Sequence, residues 1–203
     1  KRFSGQLHSN KLYHFKQNNN WLKVIKESNK ATNTFYSIDP MSMPLEWYKG
    51  NALYNLGKIK EAEISFEKAQ SIHPYNIHIL NNLASCYENL NNHKKAVKTY
   101  NKALSISSNF EEARLNLSAV YYNQKKYEMA FKTIDLCPIN STNKKYKKFL
   151  PTILASWLNE LKSKQKNNLI INTPSDSKTI SQVYFESKEK SIKFEEFLSK
   201  KYN

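Results

Sequence analysis

The sequence predicts an all-α fold, a superhelix of helical hairpins, and three observations carry that prediction. Gly occurs three times and Pro six in 203 residues, too few for the many tight turns of a sandwich or barrel. Thirty-nine per cent of the residues are hydrophobic, among them ten Phe, thirteen Tyr and three Trp, which suits a packed core rather than a disordered chain. The third observation is a repeat with a period of thirty-four residues.

Five columns hold their size class over three successive units. Gly50, Ala84 and Ser118 are small; Leu53, Tyr87 and Tyr121 are large. Ala62, Ala96 and Ala130 are small, Phe66, Tyr100 and Ile134 are large, and Ala69, Ala103 and Cys137 close each unit. A small residue on the first helix lets the second helix of its hairpin approach, the Ala62 series does the same from the other side, and the large columns fill the space between hairpins. Gly57 and Asn91 share the turn column and tolerate the left-handed conformation that ends a helix; Lys125 stands there in the third unit, a less suited turn residue. Asn109 with Glu112 reads as a capping box opening the third unit.

This spacing resembles the tetratricopeptide (TPR) family. The first unit carries it most fully, in Trp47-Tyr48-Lys49-Gly50-Asn51-Ala52-Leu53-Tyr54, then Gly57, Ala62, Phe66, Ala69 and Pro74. The second departs from the pattern at Ser108, where Pro is usual, and the third fades at Cys137. The expected organisation is a degenerate hairpin over 1–42, repeats over 43–76, 77–110 and 111–137, a capping helix over 144–164, and a linker with a terminal amphipathic helix over 165–203. In the first hairpin, Leu12, Tyr13 and Phe15 fall to one helix and Trp21, Val24, Ser28 and Ala31 to the next. The capping helix shows Phe149, Leu150, Ile153, Leu154, Trp157, Leu158 and Leu161 on one face. Gln165-Lys166-Asn167-Asn168 through Lys178 reads as the linker.

Thirty-two Lys and Arg against seventeen Asp and Glu leave a net charge of +15, which attracts polyanions without choosing among them. Only Arg2 and Arg114 are arginines. The bidentate forks of a specific nucleic-acid reader are thus scarce, and none is expected to be bound specifically. The densest cluster is Lys144, Lys145, Lys147 and Lys148, a candidate contact for an anionic membrane surface or another polyanion. Cys86 and Cys137 read as packed thiols. The histidines have no metal-site spacing, no Gly-rich phosphate loop exists, and neither Glu61 with Glu63 nor Glu111 with Glu112 makes a carboxylate pair, since sequence neighbours point to different sides of a helix. Neither catalysis, cofactor nor metal is expected.

What the TPR resemblance implies is a protein or peptide partner held in the groove of the A helices. Carried over column by column, the exposed positions are Trp47, Asn51, Tyr54 and Asn55; His78, Asn82, Ser85 and Asn89; and Glu112, Asn116, Ala119, Tyr122 and Asn123. Asn82 and Asn116 share one column, like the asparagine ladder by which some TPR proteins grip peptide backbones. The carboxylate clamp of chaperone adaptors keeps its asparagines here at Asn51 and Asn82, but Trp47, Glu112 and Asn116 replace its basic partners, so a chaperone adaptor is not expected.

Three segments are similar to something narrower, the C-terminal TPR region of bacterial O-antigen ligase-like membrane proteins: Phe35 to Gly50, Leu80 to Glu88 and Phe110 to Tyr121. That resemblance implies a polysaccharide-transferring membrane portion upstream of Lys1, and a domain at the inner membrane, on its cytoplasmic or its periplasmic side. The Lys1-Arg2 start without Met, and the basic balance, fit a region that follows a membrane span on the cytoplasmic side.

Overall fold

The computed structural model describes residues 2–32, 37–163, 173–174 and 176–202. Among them are eleven helices and no strand. The helices run α1 (Arg2–Gln17), α2 (Trp21–Ala31), α3 (Leu45–Asn55), α4 (Ile59–Ile72), α5 (Ile77–Asn89), α6 (His93–Ile106), α7 (Glu111–Asn123), α8 (Tyr127–Ile134), α9 (Lys144–Ser163), α10 (Ser177–Glu189) and α11 (Phe194–Tyr202). They fall into two compact units, residues 1–110 and 111–203.

All five repeat columns are buried. Ala62, Ala96, Ala130, Phe66 and Ile134 show no surface at all, and Tyr87 and Tyr121, the most open members, show 8%. The close approach is literal at Gly50, where a Cβ would lie 2.7 Å from two ring carbons of Phe66. Cys86 and Cys137 are buried thiols, each pushed up to about 12 chiefly by burial.

One turn recurs five times. Asn19, Gly57, Asn91, Lys125 and Ser191 all have φ between 53° and 75°. After each, the next amide reaches back to the last turn of the preceding helix: Asn20 N to Phe15 O at 2.8 Å, Lys58 N to Leu53 O at 2.9 Å, Asn92 N to Tyr87 O at 2.8 Å, Lys126 N to Tyr121 O at 2.9 Å and Ile192 N to Ser187 O at 2.9 Å. This is the Schellman closure, and it needs the left-handed residue. Lys125, at φ 58°, therefore holds a conformation that costs a side-chain-bearing residue about 1–2 kcal/mol. Lys125→Gly should raise stability by about 1 kcal/mol after the glycine's entropy is counted, a rise of about 2–4 °C in Tm; an unchanged or lower Tm would show that the turn carries no strain.

The asparagines also cap. Asn20 accepts from Lys23 N, Asn76 from His78 N and Ile79 N, and Asn92 from Lys95 N, satisfying first-turn amides that would otherwise lack partners. The capping box at Asn109 does not form as expected: α7 starts at Glu111, and Asn109 Oδ1 accepts from Ser107 Oγ at 2.8 Å.

In unit 1, Leu12, Val24, Ala31, Leu45, Tyr48 and Ala52 form one core cluster that ties α1 and α2 to α3. The connection from α2 to α3 is closed by Asp39. Its Oδ2 accepts from Tyr13 OH and, at 2.6 Å, from Tyr48 OH; its Oδ1 accepts from Met41 N and Met43 N, both at 2.8 Å. Phe35 and Tyr36, quoted for the narrower resemblance, lie outside the described residues.

In unit 2, α8 has eight residues where α4 and α6 have fourteen. Pro138 disfavours helix at Cys137, and the Cys137 amide turns back to Ile134 O. The expected terminal helix is two helices, α10 and α11, because the chain enters the left-handed turn at Ser191. Residues 165–172 and 175 of the linker expected over 165–178 lie outside the described residues, and its last two residues, Ser177 and Lys178, already belong to α10, which Asp176 caps. Helix α9 is not the end of the array: α10 packs along it, Tyr184 OH donates to Asp135 Oδ1 at 2.7 Å, and Phe194 of α11 lies 6.0 Å from Phe131 and 6.3 Å from Trp157.

Candidate functional site

In unit 1, the expected groove residues of α3 and α5 are half-buried or exposed, and hydrogen bonds join them across the two helices. Asn82 Nδ2 donates to Asn51 Oδ1 at 2.9 Å, and Asn89 Nδ2 donates to Tyr54 OH at 2.9 Å. Asn51 and Asn89 are also fixed within their own helices, Asn89 Nδ2 donating to Ser85 O at 2.8 Å, because an α-helix places i and i+4 on one face. Asn51 Nδ2 donates to Trp47 O and Asn55 Nδ2 to Asn51 O, both at 2.8 Å, and Ser85 Oγ sits 2.8 Å from Tyr100 OH. Burial raises Tyr54 and Tyr100 above the ordinary phenol range, so both hydroxyls stay neutral donors. His78 is exposed, edge-on to Phe110 at 5.2 Å.

Hydrogen bonds between side chains thus orient this face. An amide has two donor hydrogens and an oxygen with two lone pairs, so Asn51 and Asn82 keep capacity beyond the bond they share.

Trp47 is less open than its column suggests. Lys16 of α1 lies 4.5 Å from the centre of its ring, and Tyr48 packs edge-on at 4.9 Å. Lys16 is half-buried, and desolvation lowers its pKa against the opposing pull of Asp39. It was missed because α1 stands thirty-eight, not thirty-four, residues before its counterpart: matching the left-handed turns at Asn19 and Gly57 aligns Lys16 with Tyr54.

In unit 2 the expected residues Asn116, Tyr122 and Asn123 lie on α7, beside α9. Lys145 Nζ donates to Asn116 Oδ1 at 3.0 Å, and Ser156 Oγ to Tyr122 OH at 3.3 Å. Asn123 is exposed. Asn82 and Asn116 thus each engage a neighbour of their own unit, Asn51 in one case and Lys145 in the other.

The lysine cluster is not one patch. Lys144, Lys145, Lys147 and Lys148 are all exposed, but at about 100° per residue Lys145 and Lys147 leave opposite edges of α9. Lys145 turns to α7, while Lys147 lines a cavity with Tyr146 and Leu150. Of the carboxylates set aside as catalytic pairs, Glu61 is exposed whereas Glu63 is 7% exposed and held by Lys60 at 2.6 Å. Among the described residues no group of three or more His, Cys, Asp or Glu could hold a metal ion, and no helix is long and apolar enough to cross a membrane.

The tetratricopeptide repeat profile matches residues 49–76 and again 78–110, the first two of the three expected units. No curated protein matches the chain. Among solved structures, a tetratricopeptide repeat protein from Parabacteroides merdae is similar at 22% identity and a TM-score of 0.62, over 93% of this chain and 75% of that one. The MamA protein is similar at 12% identity and a TM-score of 0.66, over 93% and 94%. The first TPR of Spaghetti (RPAP3), solved bound to the HSP90 peptide SRMEEVD, is 25% identical with a TM-score of 0.51, over 54% of this chain and 89% of that one. Residues 49–76 and 78–110 of this chain are therefore tetratricopeptide repeats.

Proposed function

We propose that the chain is a non-catalytic scaffold whose α3–α5 face binds a peptide or helix of a partner protein. The observation that carries this reading is the hydrogen-bonded row Asn51–Asn82 and Tyr54–Asn89, half-exposed and already oriented. The similarity to a TPR solved with a bound peptide supports it. The peptide differs from that one, since Trp47 stands where a clamp needs a cation. On the resemblance of residues 35–50, 80–88 and 110–121, the scaffold is the TPR arm of an O-antigen ligase-like membrane protein on the cytoplasmic side of the inner membrane. The upstream reading frame tests that context by the presence or lack of many apolar spans.

The groove itself is tested by capturing a partner peptide and comparing variants. Tyr54→Ala and Asn82→Ala should each weaken binding about tenfold, with little change between 0.1 and 0.4 M salt. If the exposed lysines drove binding to a polyanion instead, affinity would fall about a hundredfold over that range and ignore both substitutions. That result would replace the groove reading by the polyanion one.

A further inference from the structure

Unit 2 holds a cavity of about 460 Å³ between the start of α9, the loop before it and α10. Ile139, Tyr146, Leu150, Pro151 and Phe185 give it an apolar interior, and Lys147 stands on its wall. The volume is that of a small-molecule site. Its polar side is the loop 140–142 at the N-terminal end of α9. That loop is fixed: Ser141 Oγ donates to Glu111, and Asn143 N donates to Ser141 Oγ at 3.1 Å. Pro151 brings a ring and no N–H to the lining. Ile139 remains 42% exposed beside it.

The two halves of this lining ask for opposite things. The apolar interior favours a hydrocarbon. The wall carries Lys147, with Lys144 and Lys148 exposed nearby on the same helix, and the α9 N-terminus adds a partial positive charge that favours an anion. A bare phosphate would leave the apolar walls unused, and a neutral hydrocarbon would leave the lysines unmatched. We propose that this cavity binds a single-chain anionic amphiphile, a long-chain carboxylate with its tail among Leu150, Pro151 and Phe185 and its head at Lys147. The site is independent of the groove on α3 and α5, which lies in the other unit. A cavity of this size takes one chain, so the carboxylate comes as a monomer rather than as part of a bilayer lipid.

Titration of the full chain with decanoate, decan-1-ol and phosphatidylglycerol vesicles tests this, with Lys147→Gln and Thr142→Trp as variants of exposed residues. Decanoate should bind saturably, one per chain. Lys147→Gln should weaken decanoate about tenfold and leave decanol unchanged, and Thr142→Trp, which fills the mouth, should abolish both. No saturable decanoate binding, an equal loss of decanoate and decanol in Lys147→Gln, or binding to vesicles alone that survives Thr142→Trp would each overturn the proposal.

Discussion

Asp39→Ala should destabilise the chain by about 3–4 kcal/mol, although the residue touches no candidate ligand surface. Asp39 is 5% exposed and accepts four hydrogen bonds, two from tyrosine hydroxyls of different helices and two from the loop it caps. Its removal leaves the buried Tyr48 hydroxyl and two amides without their acceptor, and each such group costs about 1–3 kcal/mol unless water reaches it. Burial, the largest of the causes that hold Tyr48 well above the ordinary phenol range, remains in the variant, so the tyrosine does not answer the loss by ionising. Asp39→Asn keeps an acceptor for the amides but turns donors or a lone oxygen toward the hydroxyls, and should cost about half as much. Tyr13→Phe removes one donor and should cost about 1–2 kcal/mol. Urea unfolding gives the totals, and hydrogen exchange over residues 37–55 locates them. A loss below about 1 kcal/mol for Asp39→Ala would mean that the α2–α3 join stands without its carboxylate.

Trp157→Ala should have an effect of about 3–5 kcal/mol, in unit 2. Trp157 is 1% exposed and stacks on Phe131 at 4.3 Å with the rings 13° apart, and Phe194 closes the cluster from α11. Truncation removes the surface on which α11 sits. Amide protection over 194–202 should therefore fall more than that of α7. The indole nitrogen of Trp157 is buried with no hydrogen-bond partner among the described residues, so Trp157→Phe gives up little polar contact and should cost only about 1–2 kcal/mol. Unchanged protection of α11 in Trp157→Ala would show that another surface anchors that helix.

The repeat was legible because its physical demand falls on single positions at a fixed period. Where two helices approach as at Gly50 and Phe66, only a small residue fits, whichever hairpin it occurs in. The left-handed turn was legible at Gly57 and Asn91 for a similar reason, and obscure at Ser191, where the residue type gives no sign of φ 54°. One terminal helix was accordingly expected where two occur. Asp39 was not singled out, since its partners Tyr13 and Tyr48 lie twenty-six and nine residues away and no local pattern links them.

The candidate site divides the same way. The TPR resemblance, carried over column by column, nominated the residues of α3 and α5. It could not give the state of those residues. Asn51 and Asn82 are bonded to each other, Trp47 lies beneath Lys16, and Lys145 turns to α7 while Lys147 lines a cavity. By itself, then, the sequence determined the hairpins and their small and large columns, since each follows from the local geometry of a helix. Only the tertiary structure decided which polar groups are already paired, where the Asp39 clasp closes and how α10 and α11 cover α9, because those depend on contacts between residues whose separation along the chain follows no period.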